Sequence, residues 1–461
     1  MAYENVRIYV PVGSLGSGIP EDEIDYALAM NPQAISLDAG STDSGAAYLA
    51  TGKSKNDRNS VKHDLELIMG AQIKAGIPIL IGSSGQAGGD INVDWTLDIV
   101  QEVARELGYS PKIALLYSEQ DPAVLKRKLA DGKVQALAPM GELDDATIDR
   151  CLHIVALMGP EPYFKALDAG ADIIIGGRSS DPAVIAAFAL WKGAPAGPSW
   201  HAGKIAECGG QATTACTGQR GVFLEIGPDW FEVEPVDPDS QALPEGISGH
   251  LLYENKNPWL LTEPGGQVDV TESDYVSVSD RRVRVTGTKW LPTPYTMKLE
   301  GAAGDLFQTI MIVGIHDPLV LNNADEFHEM MSKHLNERAA KSSGLSPDEF
   351  NISLRFYGYN GVSGRKPPAG SVPLEIGVMC VVTAKTQEQA SQIAKACNPY
   401  FFHMPLRLGM EMPSWGLPFT PGDIDRGPVY QFLLNHVVQV DDPLELVRMK
   451  LLFSQKEAVN A

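Results

Sequence analysis

Between Ala171 and Pro182 the chain places two glycines, an arginine, two serines and an aspartate directly behind three isoleucines. Apolar residues followed by Gly176-Gly177 read as a buried strand entering a tight turn. Asp181 is placed to cap a helix that begins at Pro182. Such a turn directs backbone N–H groups, the Arg178 guanidinium, the Ser179 and Ser180 hydroxyls and a helix N-terminus at one point, which is anion-binding chemistry. Arg178 is the basic residue of this turn, and a bidentate clamp on a carboxylate or phosphate is favoured over a structural ion pair.

The pattern recurs upstream. An apolar run at 34–37 ends in Asp38-Ala-Gly-Ser-Thr-Asp43-Ser44. Asp38 and Asp43 suit a base, an acid or hard-cation ligands, with Ser41 and Ser44 beside them; turn capping is the plainer alternative. The run at 77–81 enters Gly82-Ser-Ser-Gly-Gln86, a nest-forming loop in which Ser83, Ser84 and Gln86 are neutral donors. It lacks the GK[ST] of a phosphate-binding loop, which argues against ATP hydrolysis. Val12-Gly-Ser-Leu-Gly-Ser-Gly18 has GxxGxG spacing and not GxGxxG, which argues against a nicotinamide cofactor. Glu119 and Glu142 add acids after later strands. In Glu207-Cys-Gly-Gly-Gln211, followed by Thr213, the residues Glu207, Gln211 and Thr213 are site candidates; Cys208 is a nucleophile or a small buried residue. Backbone N–H groups of 82–85 or 176–180, Gly177 included, are the expected oxyanion donors. Oxygen ligands make a divalent cation admissible, but no ligand set follows. The nine histidines show no HxH, HExxH or Hx₃H grouping, so a preformed zinc site is not expected.

Positioning these groups requires strands that end on one edge. Short unbroken apolar runs at 6–12, 34–37, 77–81, 112–117, 134–138, 153–158 and 172–175 alternate with helical spacing at 93–107, 121–129 and 161–167. This predicts an α/β domain over 1–205 with a mostly parallel βα-repeat sheet, open and doubly wound in preference to a barrel. Residues 206–305 read as a β-rich insert with a hairpin tip at Asp280-Arg281. Residues 306–461 follow the order βαββαβ of a ferredoxin-like α+β domain, with strands at 307–315, 350–357, 374–383 and 429–440. The tail beyond Leu452 is expected to fray.

A net charge of −21 without a basic run excludes a nucleic-acid binder. No apolar run approaches the ~20 residues of a membrane span. Five cysteines without CxxC, and an N-terminus without a signal pattern, predict reduced thiols and a cytoplasmic setting.

In several segments the chain resembles the acyclic terpene utilisation family. These are ALDAGADIIIGGRSSD at 166–181, ECGGQ at 207–211, YENKNP and TEPGG within 253–266, KLEGAAG at 298–304, RFYGYNG at 355–361, LPFTPGDI at 417–424 and GPVYQFLLNH at 427–436. The resemblance implies catabolism of branched acids as CoA thioesters. What it carries here is a lyase or hydro-lyase acting on a small anionic hydroxy-carboxylate or acyl thioester, with Asp38 or Asp43 removing a proton. A homo-oligomer is expected. Two alternatives stay open: a subunit completed by a small partner protein, and a hydrolase with a Cys or Ser nucleophile.

Overall fold

The computed structural model describes residues 4–253, 255–368, 370–407 and 409–452; Glu254 of the YENKNP segment and the tail after Leu452 lie outside them. Two compact units emerge, residues 1–303 with 431–461, and residues 304–430. The first unit begins with β1 (Val6–Val10), β2 (Ala34–Asp38), β3 (Ile79–Gly82), β4 (Ile113–Tyr117), β5 (Val134–Ala136), β6 (His153–Ala156) and β7 (Ile173–Gly176). Five of these form a parallel core in the spatial order β1-β2-β3-β7-β4.

Alternate residues of the core strands enter separate apolar clusters. Ile8, Val10, Leu80, Leu116 and Ile174 join one; Tyr9, Ile35, Leu37, Ile79, Ile81, Leu115, Ile173 and Ile175 join the other. Helices Asp181–Trp191 and Ala196–Ala206 contribute to the first, and helices Arg58–Ala75 and Asp90–Glu106 to the second. Covering both faces is why these strands read as unbroken apolar runs.

The expected strands near 134–138 and 153–158 form, but outside this parallel core. β6 pairs antiparallel with Leu299–Ala302, and β5 pairs antiparallel with His436–Val438. β5 leaves Gln135 and Ala136 exposed, which a strand covered on both faces does not do. Residues 206–305 are rich in strands, and several of these join the same sheet as β1. Its strands are β8 (Val222–Ile226), β9 (Trp230–Pro235), β10 (Leu260–Glu263), β11 (Gly266–Asp269), β12 (Asp274–Ser277), β13 (Val283–Thr286) and β14 (Lys289–Pro292). β8 pairs antiparallel with β1, and β9, β13 and β12 follow outward. Asp280-Arg281 is the connection between β12 and β13. A small sheet β10-β11-β14 stands apart.

The long β15 (Thr296–Ile315) continues into residues 304–430, where β16 (Phe350–Tyr357), β17 (Ile376–Ala384), β18 (Trp415–Gly416) and the start of β19 (Asp423–Gln439) follow. The order there is β16-β17-β15-β19, with helices Ala324–Ser343 and Gln387–Cys397 packed in the core of this unit. In the first unit, β20 (Arg448–Leu452) pairs antiparallel with β4. Among the described residues the ten-strand sheet has β12 and β20 as edges and does not close into a barrel.

Helix Asp181–Trp191 is apolar on all sides, and its residues 182–189 are buried. A Cβ at Gly203 of the neighbouring helix would stand 2.6 Å from the Pro182 carbonyl oxygen. Gly203→Ala should therefore destabilise the protein by about 1–3 kcal/mol through overpacking. Gly70→Ala, with nothing within 4 Å of the added carbon, should be neutral or stabilising by up to about 1 kcal/mol. Urea unfolding of both variants checks the contrast; equal effects would contradict the packing argument.

Candidate active site

A cavity of about 310 Å³ lies where strands of the parallel core end. Gly13, Ser14 and Ser17 follow β1; Asp38, Gly40, Ser41, Asp43 and Ser44 end or follow β2; Gln86 follows β3 and Asp181 follows β7. Lys55, Asn56, Glu207, Cys208 and Tyr253 complete the lining. Four strand ends thus share one cavity, the usual position of a ligand site in an α/β sheet.

The expected residues divide into three groups. Asp38, Asp43, Ser41, Ser44, Gln86, Asp181 and Glu207 line the cavity. Ser83, Ser84, Gly177, Arg178, Ser179 and Ser180 do not line it and hold the turns together. Gln211 and Thr213 are elsewhere: Gln211 is exposed, and the Thr213 hydroxyl donates to the Gly210 carbonyl at 2.6 Å. Glu119 and Glu142 are also absent from the lining; Glu119 contacts His153 Nδ1 and accepts from the Asp90 N–H.

Arg178 departs most from expectation. Its side chain is 5% exposed, and Nε and one terminal nitrogen are engaged internally. Nε donates to Glu300 at 3.0 Å, and one terminal nitrogen donates to Asp181 at 2.9 Å and to Ser83 Oγ at 3.0 Å. Lys298 adds a contact to Glu300 at 2.8 Å. The guanidinium is therefore a positioning group that fixes Asp181, and the substrate clamp is not realised. The sequence could not reveal this, because Glu300 lies more than a hundred residues away.

Five of the expected oxyanion donors are engaged as well. Ser83 and Ser84 N–H donate to the Gly177 and Gly176 carbonyls, Gly177 N–H to Leu116, Arg178 N–H to Gly88, and Ser180 N–H to Met158. The two turns thus bind one another. A Cβ at Gly88 would lie 2.2 Å from the Arg178 nitrogen, so glycine is needed for this approach, and its φ of +65° suits it too. The helix also starts one residue earlier than expected: Asp181 opens it, Ser180 is the N-cap, and the Ser180 hydroxyl donates to Glu263. The glycine loop after β1 is filled from within. Asp64 accepts from the N–H groups of Gly16 at 2.7 Å, Gly18 at 3.3 Å and Ile19 at 2.8 Å.

Burial sets the electrostatics. Asp38 is raised well above the usual carboxylate range by desolvation and then by the nearby Asp181 charge, while Arg178 opposes the shift. Its Oδ2 accepts from the Gly40 N–H at 2.9 Å, and Oδ1 has no hydrogen-bond partner among the described residues. Glu207 is likewise raised by burial; Lys204 contacts its Oε1, and Oε2 has no partner. Burial raises Glu263 to about 7. Glu300 is lowered to about 2, because Arg178 and Lys298 outweigh its burial. Asp43 is exposed.

The model of the family described as acyclic terpene utilisation family protein AtuA matches residues 51–226 and 243–418. The chain belongs to the acyclic terpene utilisation family. No curated protein and no solved structure matches it. The segments that carry the family resemblance supply much of the cavity and its support: GRSSD provides Arg178 to Asp181, ECGGQ provides Glu207 and Cys208, YENKNP provides Tyr253, TEPGG provides Glu263, and KLEG provides Lys298 and Glu300.

Sequence reasoning missed Ser14, Ser17, Lys55, Asn56 and His250. Lys55 and Asn56 precede a helix whose apolar positions are weakly periodic, so nothing marked their loop. His250 is buried, and desolvation lowers it to about 4. Among the described residues, no helix is long and apolar enough to cross a membrane.

Two outcomes follow from the buried charges. Arg178→Ala leaves Glu300 with Lys298 alone and Asp181 without its hydrogen-bonded cation, and should cost about 3 kcal/mol of stability, read from urea unfolding; an unchanged midpoint would return Arg178 to the role of ligand clamp. Glu263, raised in the fold, keeps its proton between about pH 4.5 and about 7 while the unfolded chain releases it, so its contribution to stability falls as pH rises through that window. Glu263→Gln should flatten this decline in unfolding measured from pH 4 to 8. A slope identical to wild type would remove Glu263 from the balance.

Proposed function

We propose that this member of the acyclic terpene utilisation family is a lyase or hydro-lyase acting on a small hydroxy-carboxylate or acyl-CoA thioester, with Asp38 as the proton-transfer group. The observation that carries the reading is Asp38 itself. It is a buried carboxylate at the end of β2, lines the cavity, keeps one oxygen unpartnered among the described residues, and has a proton affinity shifted upward by burial, the direction that makes a carboxylate a stronger base. Ser14, Ser41, Ser44, Asn56 and Gln86 offer hydroxyl and amide contacts suited to an oxygenated substrate. Lys55, whose Nζ donates to Ser44 at 2.9 Å, supplies positive charge for a carboxylate. For a 3-hydroxy substrate, Asp38 takes the proton next to the carboxyl or thioester carbonyl. The electron pair delocalises into that carbonyl and then expels the hydroxyl, which leaves as water after protonation.

The first unit is read as an open doubly wound sheet. Residues 304–430 are read as a ferredoxin-like unit, supported by the element order βαββαβ and the strand order given above. Five cysteines outside any disulfide are consistent with the cytoplasmic reading. A second reading is a subunit that needs a small partner protein, in a homo-oligomer or beside it. It is favoured by a groove of about 570 Å³ on the sheet of residues 304–430, where Arg355 and Arg426 join Gln308, Ser353 and Thr383.

A thermal-shift screen of hydroxy acids and their CoA thioesters finds the ligand, because binding to the folded state raises the midpoint. With that ligand, Asp38→Asn should lower kcat by about 10²–10⁴ with little change in KM, and should abolish exchange of the carbonyl-adjacent hydrogen with D₂O seen by NMR. Asp43→Asn, at the exposed edge of the lining, should cost less than about tenfold. Retained exchange in Asp38→Asn would overturn the assignment.

A further inference from the structure

One cluster beside the cavity takes no part in the proton chemistry of Asp38. Glu207 is the C-cap of helix Ala196–Ala206, Cys208 follows it, and His250 ends helix Pro244–His250. Their ligand atoms, a carboxylate oxygen, a thiol sulfur and an imidazole nitrogen, all lie within 4.8 Å of one another. Glu207 is 4% exposed and His250 6%. Among the described residues, Glu207 Oε2 and His250 Nε2 are both buried without a hydrogen-bond partner. An unsatisfied buried polar atom is costly, and two beside one thiol call for a ligand that accepts both lone pairs.

We propose that Glu207, Cys208 and His250 form a three-ligand site for a divalent transition metal, Zn²⁺ in the first place, with an open coordination position towards the cavity.

The donor set favours this choice. Carboxylate, thiolate and imidazole are zinc ligands, and three protein ligands with a free fourth position mark a catalytic rather than a structural zinc. Zinc bonds of about 2.0–2.3 Å separate tetrahedral donors by roughly 3.3–3.6 Å, so closure from the present spacing requires no more than about 1.5 Å. Glu207 and Cys208 line the cavity, which gives the open position its direction. The support around the site is stiff. Lys204 contacts the other Glu207 oxygen and orients the carboxylate. A Cβ at Gly13 would lie 2.5 Å from the Cys208 carbonyl carbon, so the turn sits directly against the chain leaving β1. His250 stacks on Tyr253, ring centroids 5.8 Å apart, and Tyr253 also lines the cavity.

Charge balance points the same way. Asp38, Asp181, Glu207 and Glu263 form a chain of interacting carboxylates; Lys204 faces Glu207, Glu263 and Asp181, while Arg178 is shared between Asp38, Asp181 and Glu300. A divalent ion supplies positive charge where the cluster lacks it. On binding, the Cys208 thiol gives its proton to solvent and three coordinate bonds form. The ion would polarise a carbonyl or hydroxyl oxygen of a substrate in the same cavity. In that respect the inference deepens the proposed function, but its test reads metal and not turnover.

The full-length protein, stripped with chelator and dialysed, is titrated with Zn²⁺ and separately with Co²⁺. One equivalent of Zn²⁺ should bind and raise the thermal midpoint. Co²⁺ should give tetrahedral d–d bands and a sulfur-to-cobalt charge-transfer band. Cys208→Ser should abolish the charge-transfer band. His250→Gln should weaken Zn²⁺ binding at least about tenfold, since even outer-shell changes cost about 10–100-fold. Cys216→Ser should leave both unchanged. The two ligand variants lie on separate elements, so the result does not hang on the folding of either. Binding well below one equivalent, a charge-transfer band that survives Cys208→Ser, or Zn²⁺ affinity unaltered in His250→Gln would each overturn the site and leave an ordered water between Glu207 and His250 as the occupant. Loss of exchange in Asp38→Asn with normal metal content separates the two proposals.

Discussion

The burial of a carboxylate cluster with too few cations is the constraint on which the site depends. Desolvating a charge is expensive unless it is paired or neutralised. The fold meets that demand unevenly. Glu300 has Arg178 and Lys298 and stays ionised. Asp38, Glu207 and Glu263 lack full compensation and are driven towards their protonated forms. Arg178 is placed where its loss would expose the imbalance: it joins the turn after β7 to Ser83 and to Glu300 on β15. The reactivity attributed to Asp38 and the electrostatic tension around it therefore have one origin.

Backbone geometry makes this arrangement durable. The turns after β3 and β7 exchange hydrogen bonds through Ser83, Ser84, Gly176 and Gly177, and Gly88 lets the chain pass close to Arg178. Helix Asp181–Trp191, buried along nearly its whole length, carries Asp181 to the cavity from a rigid base. Side chains on loops are thus held by a scaffold whose turn backbones are tied to one another, as a preorganised site requires.

Much of this was legible in the sequence, for identifiable reasons. The βα alternation announced itself because strands covered on both faces are apolar without interruption, and the residues just after such runs had to share an edge. That argument brought Asp38, Asp43, Gln86 and Asp181 to one cavity lining. It failed where partners are distant. Glu300 engaging Arg178, and β5 and β6 pairing with segments more than a hundred residues away, leave no local trace. His250 was invisible beside Glu207 for the same reason, since the two lie 43 positions apart. The β-rich character of 206–305 was legible from its short strands, but that β8 extends the same sheet from β1 was not, because the pairing joins segments more than two hundred residues apart in sequence.

The loop after β1 has a consequence for selectivity. Its N–H groups form a nest of the kind that elsewhere grips phosphate, but the carboxylate of Asp64 occupies it. A nucleotide reaching this loop would face a competitor tethered to the same chain, at a standing local concentration of millimolar order or higher. The molecule carries its own inhibitor of phosphate capture at that position, leaving recognition to the oxygen-rich pocket next door.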